Sequence, residues 1–412
     1  MKKNSLPAAK KLHIHTFGCK VNQYESQALA ESFLKQGFEL TADLASADLL
    51  VVNSCTVTGE ADRQCRQLLR RALRRKPGLE MIVTGCYAQN SPEEILKDLP
   101  SAKIIGKDEL LKGGRLISRF EGHSRAFVKI QDGCDAFCSY CIVPYVRNKM
   151  ISRPEFDILE EIKALAANGY PEIVLTGVRL GRYSGGLERL IEKILETEGR
   201  FRVRLSSIEL KEITGGLLEL MKKYPSRICR HLHIPLQSGS DKILKAMRRP
   251  YTTGEFAGKM EQILGLMPDI GITTDVITGF PGETDKDFED TREFLSTSGF
   301  SRLHVFRYSK RAGTLAAGLK DPVPQETAKH RSASLRKLDA ALQEKYWKGF
   351  IGQARPAVAE GANNTLLTDN YIRLNMEMET ASCGGRIIDV EIRQVAGRPW
   401  GVPARARGAK QE

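Results

Sequence analysis

Apolar and polar positions along the first 110 residues predict strands that alternate with helices. Short apolar runs are typical of strands, and stretches with helical periodicity follow the first two of them. The strand runs are residues 12–16, 48–52 and 79–84, and the helical runs are residues 23–36 and 60–76. Strand-helix alternation with short turns predicts an α/β domain built on a doubly wound parallel sheet, which we assign to residues 1–120.

A second segment, residues 121–348, repeats a strand-helix unit six times at a spacing of roughly thirty residues. Its strand candidates are residues 126–131, 172–176, 202–208, 231–236, 272–278 and 303–308, and helical stretches include residues 154–168, 187–198, 212–224 and 286–296. This repetition predicts a partial, open (β/α)6 barrel with its chemistry at the carboxyl ends of the strands.

The composition changes after a long amphipathic stretch at residues 325–348. Short strand candidates follow at residues 354–359, 371–375 and 386–395, with Gly and Asn at the turns. They predict a small all-β barrel over residues 349–400, a fold that often binds RNA. Residues 401–412 form a basic tail that we expect to be mobile.

Composition narrows the class of protein. The chain of 412 residues carries a net charge of +13, which indicates a polyanionic partner, although charge alone does not choose among RNA, DNA and anionic lipid. No apolar run reaches the length of a membrane helix, and the first residues lack the apolar centre of a secretory signal, so we expect a cytoplasmic protein without a membrane partner. Nine cysteines, an odd number, favour metal or redox chemistry over a disulfide framework.

Three cysteines with the spacing CxxxCxxC, Cys134, Cys138 and Cys141, follow the first strand of the predicted barrel. Three thiolates on one loop occupy three corners of a metal centre, whereas structural zinc requires four ligands. A 4Fe-4S cluster held by three cysteines leaves one iron open to a further ligand. A zinc knuckle or three buried thiols is the alternative. No His or further Cys follows within the next twelve residues, which favours the open cluster.

A second trio follows the three strands of the first domain, with Cys19, Cys55 and Cys86 each placed just after a strand end. The carboxyl ends of parallel strands form the crevice where such sheets bind ligands, so we predict a second three-cysteine cluster there. The alternative is that these are ordinary buried cysteines. We expect the nearby Asn22 and Asn53 to cap the following helices rather than to bond cluster sulfurs.

The helix at residues 60–76 is strongly basic, and it has few acids of its own. A charge run usually forms a solvated face, but this density of arginine also suits contact with phosphates. The candidate RNA-binding residues are Arg63, Arg66, Arg70, Arg71, Arg74 and Arg75.

The cysteine loop resembles that of radical S-adenosylmethionine (SAM) enzymes, in which the open iron binds the amino and carboxylate groups of SAM. That resemblance implies that Tyr140 lies beside the adenine. Polar and glycine residues at the other strand ends then become candidates for SAM binding, because they permit close backbone approach and offer hydrogen bonds. These candidates are Thr176, Gly177, Ser207, Glu209, Gln237, Thr278, Gly279 and Phe280.

Longer motifs resemble the radical SAM methylthiotransferases over residues 12 to about 310. In chain order they are HTFGCKVNQYES, VVNSCTVT, TGCYAQ, QDGCDAFCSYCIVPYVR, HLHIPLQSGSDKILKAMRRPYT and TDVITGFPGET. The final segment resembles the TRAM domain of that family. Within the family, GCKVNQYES is more similar to the tRNA threonylcarbamoyladenosine enzymes than to the isopentenyladenosine enzymes, which usually show GCQMN, or the ribosomal-protein enzymes, which usually show GCPKN.

The resemblance implies two 4Fe-4S clusters and SAM as cofactors. One cluster would split SAM to form a 5′-deoxyadenosyl radical that removes the hydrogen from carbon 2 of a modified adenosine 3′ of the anticodon. The other would supply the sulfur, which is methylated by another SAM. We expect a tRNA substrate, an electron donor of the flavodoxin or ferredoxin type, and a monomer. The alternatives are an isopentenyladenosine or ribosomal-protein aspartate methylthiotransferase and, in another class, an RNA-binding protein with structural clusters.

Overall fold

The structure, a computed structural model, describes residues 9–111, 116–360, 364–376 and 385–404. Most of the predicted basic tail, including Arg405 and Arg407, lies outside the described residues, and so does Cys383. Within the described ranges, no helix has the length and apolarity needed to cross a membrane.

The first unit is a five-stranded parallel sheet with helices on both faces. Its strands are β1 (Lys11–Thr16), β2 (Glu39–Leu40), β3 (Leu49–Ser54), β4 (Glu80–Thr84) and β5 (Lys103–Ile104). Its helices are α1 (Lys20–Lys35), α2 (Gly59–Arg75), α3 (Gly85–Asn90), α4 (Pro92–Asp98) and α5 (Lys107–Leu110). The strand order β2-β1-β3-β4-β5 confirms the predicted doubly wound sheet and adds two short edge strands.

Strand β3 shows how one continuous apolar run supports both faces of the sheet. Alternate side chains of a strand point to opposite faces. Leu49 and Val51 therefore pack with α1, whereas Leu50 and Val52 pack with α2. The hydrophobic cluster on the α1 side continues without a break into the core of the second unit, so that face of the sheet is buried against the barrel.

The second unit contains six parallel strands and one short antiparallel strand. The strands are β6 (Arg125–Asp132), β7 (Ile151–Ser152), β8 (Glu172–Gly177), β9 (Arg202–Leu205), β10 (His231–His233), β11 (Gly271–Thr278) and β12 (Arg302–Arg307). The helices are α6 (Val143–Val146), α7 (Glu155–Ala167), α8 (Leu187–Glu196), α9 (Gly215–Lys223), α10 (Asp241–Ala246), α11 (Thr253–Leu266), α12 (Asp285–Thr297) and α13 (Gln325–Lys348).

These strands form two sheets, β7-β6-β8-β9 and β10-β11-β12. Isolated bridges from Val203 to Ile228 and from Ser207 to His233 join β9 to β10, which confirms the six-stranded partial barrel. Strand β10 ends three residues earlier than predicted. The physical reason is Pro235, which has no backbone N–H to donate to a ladder.

The last unit is a closed five-stranded barrel with the order β13-β14-β15-β17-β16. Its strands are β13 (Ala354–Glu360), β14 (Thr365–Thr368), β15 (Arg373–Asn375), β16 (Ile387–Val395) and β17 (Arg398–Pro403). The small barrel is confirmed, but the strand pattern missed β14 and β17. Strand β17 contains Pro399 and Pro403, which argue against a strand when only the sequence is considered.

The small barrel docks at the amino ends of β8 and β9, the end opposite the cysteine loop. Glu172 is fully buried and pairs with Arg202 and Arg204. Burial favours a raised pKa for Glu172, but the two guanidinium groups outweigh it and hold that pKa well below its usual range. Both arginines also donate to carbonyl oxygens of the small barrel, including Leu367 O at 3.1 Å and Thr368 O at 2.9 Å.

Candidate functional site: two cysteine trios at a domain boundary

The loop after β6 carries Cys134, Cys138 and Cys141, and it begins at a glycine that no other residue could replace without strain. Gly133 has a φ of +84°, in the left-handed region. A Cβ at this position would lie 2.0 Å from the carbonyl oxygen of Lys149. The chain therefore turns sharply here and presents the cysteines at the carboxyl end of the barrel strands.

Hydrogen bonds through Ser139 fix this loop to the barrel. Its hydroxyl donates to Ala246 O at 2.8 Å, and its backbone N–H donates to Met247 O at 3.0 Å. Its carbonyl accepts from Ala316 N at 2.7 Å. The middle of the loop is thus held from two sides, which keeps the three thiols in one arrangement.

The three thiols interact with one another electrostatically. Burial raises the pKa of Cys141 to about 12 and also raises the pKa of Cys134. Without a metal, Cys134 and Cys141 are therefore neutral thiols, and binding iron must displace their protons.

Arg249 was not among the predicted site residues, although it lies beside the loop. Its side chain is almost fully buried and donates to Cys138 Sγ at 3.3 Å and to the carboxylate of Glu209. Tyr140 interacts electrostatically with Arg249, Cys138 and Glu209, so the structure brings two predicted SAM-binding residues together around this guanidinium. The adjacent pair Arg248-Arg249 in AMRRPY was the available sequence signal.

The other predicted SAM-binding residues lie at strand ends on the same side of the barrel. Gly177 ends β8 beside Gln131, and Ser207 bridges to His233. Gln237 has a φ of +74°, an unusual conformation for a residue with a side chain. Its backbone N–H donates to Asp275 O at 2.8 Å, which holds this strained turn against β11.

Two residues of the TGFPGE turn contact α13 instead of open space. Thr278 is buried and donates to Ala328 O at 3.4 Å, and a Cβ at Gly279 would lie 2.5 Å from Ala328 Cβ. Phe280 is buried in the apolar cluster against which Tyr140 packs. Thr176, at the end of β8, is buried as well.

The first domain brings Cys19, Cys55 and Cys86 together. Cys55 and Cys86 each interact electrostatically with Cys19, and Cys55 also interacts with Cys86. A Cβ at Gly18, which has a φ of +98°, would lie 2.7 Å from Cys55 Sγ. The glycine before Cys19 therefore allows the loops after β1 and β3 to approach closely enough for their thiols to meet.

This second trio abuts the loop of the first trio. Cys86 packs with Ile142 and Val146, which lie one and five residues after Cys141 in the chain. Arg147 then donates to Cys86 Sγ at 3.1 Å. The two groups of cysteines therefore lie on either side of a continuous contact between the domains.

Both trios suit clusters better than single ions. Among the described residues, no three His, Cys, Asp or Glu side chains converge on one point to hold a single metal ion. In a 4Fe-4S cube each thiolate binds a different iron, so the sulfurs need not converge. The chemistry of the donors, three thiols in each trio, is therefore compatible with such a cube.

The remaining polar candidates have different roles from those predicted. Neither Asn22 nor Asn53 caps a helix, so that prediction is wrong. Asn22 donates to Phe17 O and Ser54 O, and Asn53 donates to Asn22 O. They connect the cysteine-bearing loops to each other because the buried carbonyls there need donors.

Carboxylates balance the positive charge of helix α2 over its first half. Arg63 pairs with Glu60 within the helix, whereas Arg66 and Arg70 pair with acids of α4. The helix has few acids of its own, but α4 packs beside it and supplies acids that the sequence pattern did not indicate. Arg71, Arg74 and Arg75 are exposed, and they form none of the ion pairs found among the described residues.

The fold and the cysteine loop together define a radical SAM protein, and comparison with known proteins agrees. The family model of the Radical SAM superfamily matches residues 128–295, and that of uncharacterized protein family UPF0004 matches residues 11–106. A solved radical SAM methyltransferase, TsrM from Kitasatospora setae, shares the fold with a TM-score of 0.56 at 12% identity, over 73% of this chain and 75% of that one.

Two relatives match nearly the whole chain. The threonylcarbamoyladenosine tRNA methylthiotransferase of Bacillus subtilis is 36% identical over 94% of each chain. The tRNA-2-methylthio-N(6)-dimethylallyladenosine synthase of Thermodesulfovibrio yellowstonii is 34% identical, over 92% of this chain and 95% of that one. The chain belongs to the radical SAM methylthiotransferase family. Membership in the superfamily implies a 4Fe-4S cluster and SAM as cofactors.

Proposed function

We propose that this enzyme transfers a methylthio group to carbon 2 of threonylcarbamoyladenosine, 3′ of the anticodon in tRNA. The observation that carries the proposal is the contact of Cys86 with the segment that follows Cys141, made through Ile142, Val146 and Arg147. A sulfur source and a radical source must reach one carbon atom, and adjoining trios meet that requirement. The name of the Bacillus subtilis relative supports the threonylcarbamoyl substrate.

Each trio has its own part in this proposal. Cys134, Cys138 and Cys141 would hold the cluster that binds SAM, with Tyr140 beside the adenine. Cys19, Cys55 and Cys86 would hold the second cluster. When bound, these groups supply the radical and the sulfur that an unactivated aromatic C–H bond requires, since acid-base chemistry offers no route at neutral pH.

The residues around the first trio would bind and orient SAM. Arg249 holds Glu209 next to Cys138 and Tyr140, which supports a role for this carboxylate as an acceptor for a polar group of SAM. Backbone groups at the ends of β8, β10 and β11 would complete the site. The corresponding candidates remain Thr176, Gly177, Ser207, Gln237, Thr278, Gly279 and Phe280.

RNA contact is assigned to two surfaces. The closed small barrel resembles a TRAM domain, and we propose that it binds tRNA. On α2, Arg71, Arg74 and Arg75 are exposed and form no ion pair with another described residue, and phosphates are natural partners of such charges. Arg63, Arg66 and Arg70 contribute less, because acids already bind them.

Replacement of Arg71, Arg74 and Arg75 by Gln tests this assignment. We expect weaker tRNA binding and a salt dependence of log K that is shallower by about one to three phosphate contacts. The matched control changes Arg63 and Arg70 to Gln, which are also exposed on α2 but ion-paired. An equal loss in both variants would mean that overall charge, not a specific face, drives binding.

Nucleoside mass spectrometry of tRNA from a deletion strain tests the substrate. Loss of 2-methylthio-threonylcarbamoyladenosine supports the proposal. Loss of the 2-methylthio-isopentenyl nucleoside would favour the dimethylallyl activity named for the second relative. Unchanged tRNA together with an unmodified ribosomal-protein aspartate would favour the protein substrate.

Cysteine variants test the division of labour. We expect Cys138→Ala to abolish SAM cleavage, and Cys55→Ala to retain cleavage but lose methylthio transfer. Cys229→Ala is the control, because Cys229 is buried just before β10 and interacts with Arg204 and Glu172, not with either trio. Identical phenotypes for Cys138→Ala and Cys55→Ala would contradict separate roles.

Iron quantification and a SAM cleavage assay together separate this enzyme from an RNA-binding protein whose clusters are purely structural. About eight irons per chain are expected for two clusters, and about four for Cys55→Ala. Production of 5′-deoxyadenosine with dithionite and SAM would exclude a purely structural role. A flavodoxin or ferredoxin donor, a monomeric state and a cytoplasmic location complete the proposal.

A further inference from the structure

The inner face of the partial barrel carries a polar group that the proposed chemistry does not use. Along β10 and β11, Leu232, Ile272 and Val276 pack into the hydrophobic core, so the alternate side chains point to the opposite, inner face. His231 and His233 lie there, and both bond the Thr273 hydroxyl, at 3.1 and 2.9 Å.

The inner face continues across β11 and β12. His233 Nε2 lies 3.2 Å from Asp275 Oδ1, and Asp275 is in register with His304 on the neighbouring strand. The rings of His233 and His304 are 5.4 Å apart. His233 and Asp275 remain partly exposed, so a ligand can reach them.

A cation from the other domain lies near these polar side chains, and we call the two together the pocket. Lys20, the first residue of α1 and the neighbour of Cys19, interacts electrostatically with His231, Asp275 and His304. Those three residues lie on three adjacent strands, so the ammonium group is close to the inner face as a whole. Lys20 itself is exposed, which places it at the entrance.

The charges in the pocket are of both signs. Burial favours a raised pKa for Asp275, but the hydrogen bond and charge of His233 outweigh it, so the pKa is lowered and the carboxylate is ionised. Burial and the neighbouring His233 lower the pKa of His304 to about 4, so it is neutral near pH 7. Within the part of the chain that the structure describes, His231 Nδ1 is buried without a hydrogen-bond partner, and the His231 ring stacks on that of Tyr371 in the small barrel, with centroids 4.0 Å apart.

A ligand that suits this pocket has an anionic group and hydrogen-bond donors. The threonylcarbamoyl substituent has both, a carboxylate together with amide N–H and hydroxyl groups, whereas an isopentenyl substituent has neither. We propose that the pocket receives the N6 substituent of the target adenosine, with Lys20 binding its carboxylate and Asp275 accepting from its N–H or hydroxyl groups. This inference rests on the proposed function and deepens it by naming the residues that select the substrate.

Selection of this kind has a physical basis in unpaired polar groups. A site that hydrogen-bonds its substrate strongly rejects an analogue that lacks the bonding groups, because the buried partners lose water without replacement. An isopentenyl group would offer no partner to Lys20, and it would leave the carboxylate of Asp275, once desolvated, with only its bond to His233. The pocket therefore discriminates through both the ammonium group and the carboxylate.

RNA binding tests the proposal without turnover. The probes are three anticodon stem-loops that carry threonylcarbamoyladenosine, isopentenyladenosine or adenosine, and the full chain reconstituted with iron and sulfide is used without SAM or reductant. Fluorescence anisotropy should show Lys20→Met binding the first RNA roughly 10- to 100-fold more weakly, as expected for one charge-assisted hydrogen bond. Its affinity for the other two should be unchanged.

Two further variants control the interpretation. Lys35→Met changes an exposed lysine in the last turn of the same helix and should bind all three RNAs as the wild type does. Lys20→Arg, which keeps the charge, should retain most of the preference. Asp275→Asn should weaken binding of the threonylcarbamoyl RNA and leave the other two unaffected.

Kinetics separate selection from damage to the neighbouring Cys19. Iron content and SAM cleavage without RNA should be the same in Lys20→Met and wild type, while KM for the threonylcarbamoyl RNA rises more than kcat falls. Equal weakening for all three RNAs, or an unchanged preference, would overturn the assignment of Lys20. A wild-type enzyme that methylthiolates only the isopentenyl RNA would instead overturn the proposed function.

Discussion

Replacement of Arg147 by Met tests whether the contact between the two cysteine trios also holds the domains together. Arg147 is almost fully buried and donates to two carboxylates. It lies 2.9 and 3.0 Å from the oxygens of Glu25, and 2.8 and 2.9 Å from those of Asp132. It also donates to Asn22 Oδ1 at 2.9 Å and to Cys86 Sγ at 3.1 Å. The substitution removes all of these bonds and leaves the acceptors buried.

The magnitude follows from the charges that remain. Lys107 and Lys129 also bond both Glu25 and Asp132, so the network contains three cations and two anions. Loss of one partner of a buried pair costs about 3–5 kcal/mol, and the two lysines left behind favour the lower end of that range. We therefore expect Arg147→Met to lower the free energy of unfolding by about 3 kcal/mol.

Chemical denaturation of the metal-free protein, monitored by circular dichroism, measures this loss. The control is Arg63→Met, which removes an exposed ion pair with Glu60 and should cost less than about 1 kcal/mol. An Arg147→Met variant within about 1 kcal/mol of wild type would refute the reasoning, because it would mean that Glu25 and Asp132 find other partners at no cost.

The same network predicts a dependence on pH. Burial favours raised pKa values for Glu25 and Asp132, but Lys129 and Arg147 outweigh it and hold both pKa values well below the usual range. Carboxyls with depressed pKa values stabilise the fold above their unfolded pKa of about 4, and this contribution is lost as pH falls below that value. Arg147→Met should therefore lose less stability than wild type between about pH 4 and pH 2.

Three further predictions concern other parts of the fold. Gly133→Ala should lower the amount of iron bound by the first trio, because the new Cβ would meet the carbonyl of Lys149. The control is Gly37→Ala, at a position with a similar φ but open space around it. It should lower stability by only about 1–2 kcal/mol and leave the iron content unchanged. Burial, partly offset by Arg153, raises the pKa of Glu161 to about 7. The free energy of unfolding should therefore fall as the pH rises from about 4 to about 7. In thermal melts, Glu161→Gln should make stability depend less on pH over this range. Arg204→Met should loosen the small barrel and accelerate its release by limited proteolysis, with wild-type cleavage rates contradicting the docking role.

The cysteine trios could be predicted because their positions follow from rules of local structure. A parallel sheet places the ends of successive strands along one edge, so cysteines after β1, β3 and β4 had to lie near one another. Likewise, a loop after the first barrel strand had to lie at the carboxyl end. The pattern of apolar runs therefore predicts where residues lie when their position is fixed by a regular strand-helix unit.

The residues that connect the trios could not be predicted in this way. Arg147 and Glu25 are 122 residues apart, and Arg249 and Cys138 are 111 residues apart, with no shared local motif. Their pairing depends on how the sheet packs on the barrel, which periodicity does not encode. The prediction for Asn22 and Asn53 was wrong for a similar reason. Their positions near helix starts suggested caps, but in the folded protein their amide groups donate to buried backbone carbonyls.

The packing of the two domains explains why one arginine can serve both trios. The hydrophobic cluster beneath α1 is continuous with that of the barrel, so the sheet is held against the barrel by burial of apolar surface over a broad contact. Apolar burial has little directionality, whereas the bonds of Arg147 to Cys86 and Asp132 require particular atoms to meet. The core therefore supplies most of the attraction, and the buried guanidinium fixes the position of Cys86 relative to the barrel residue Asp132.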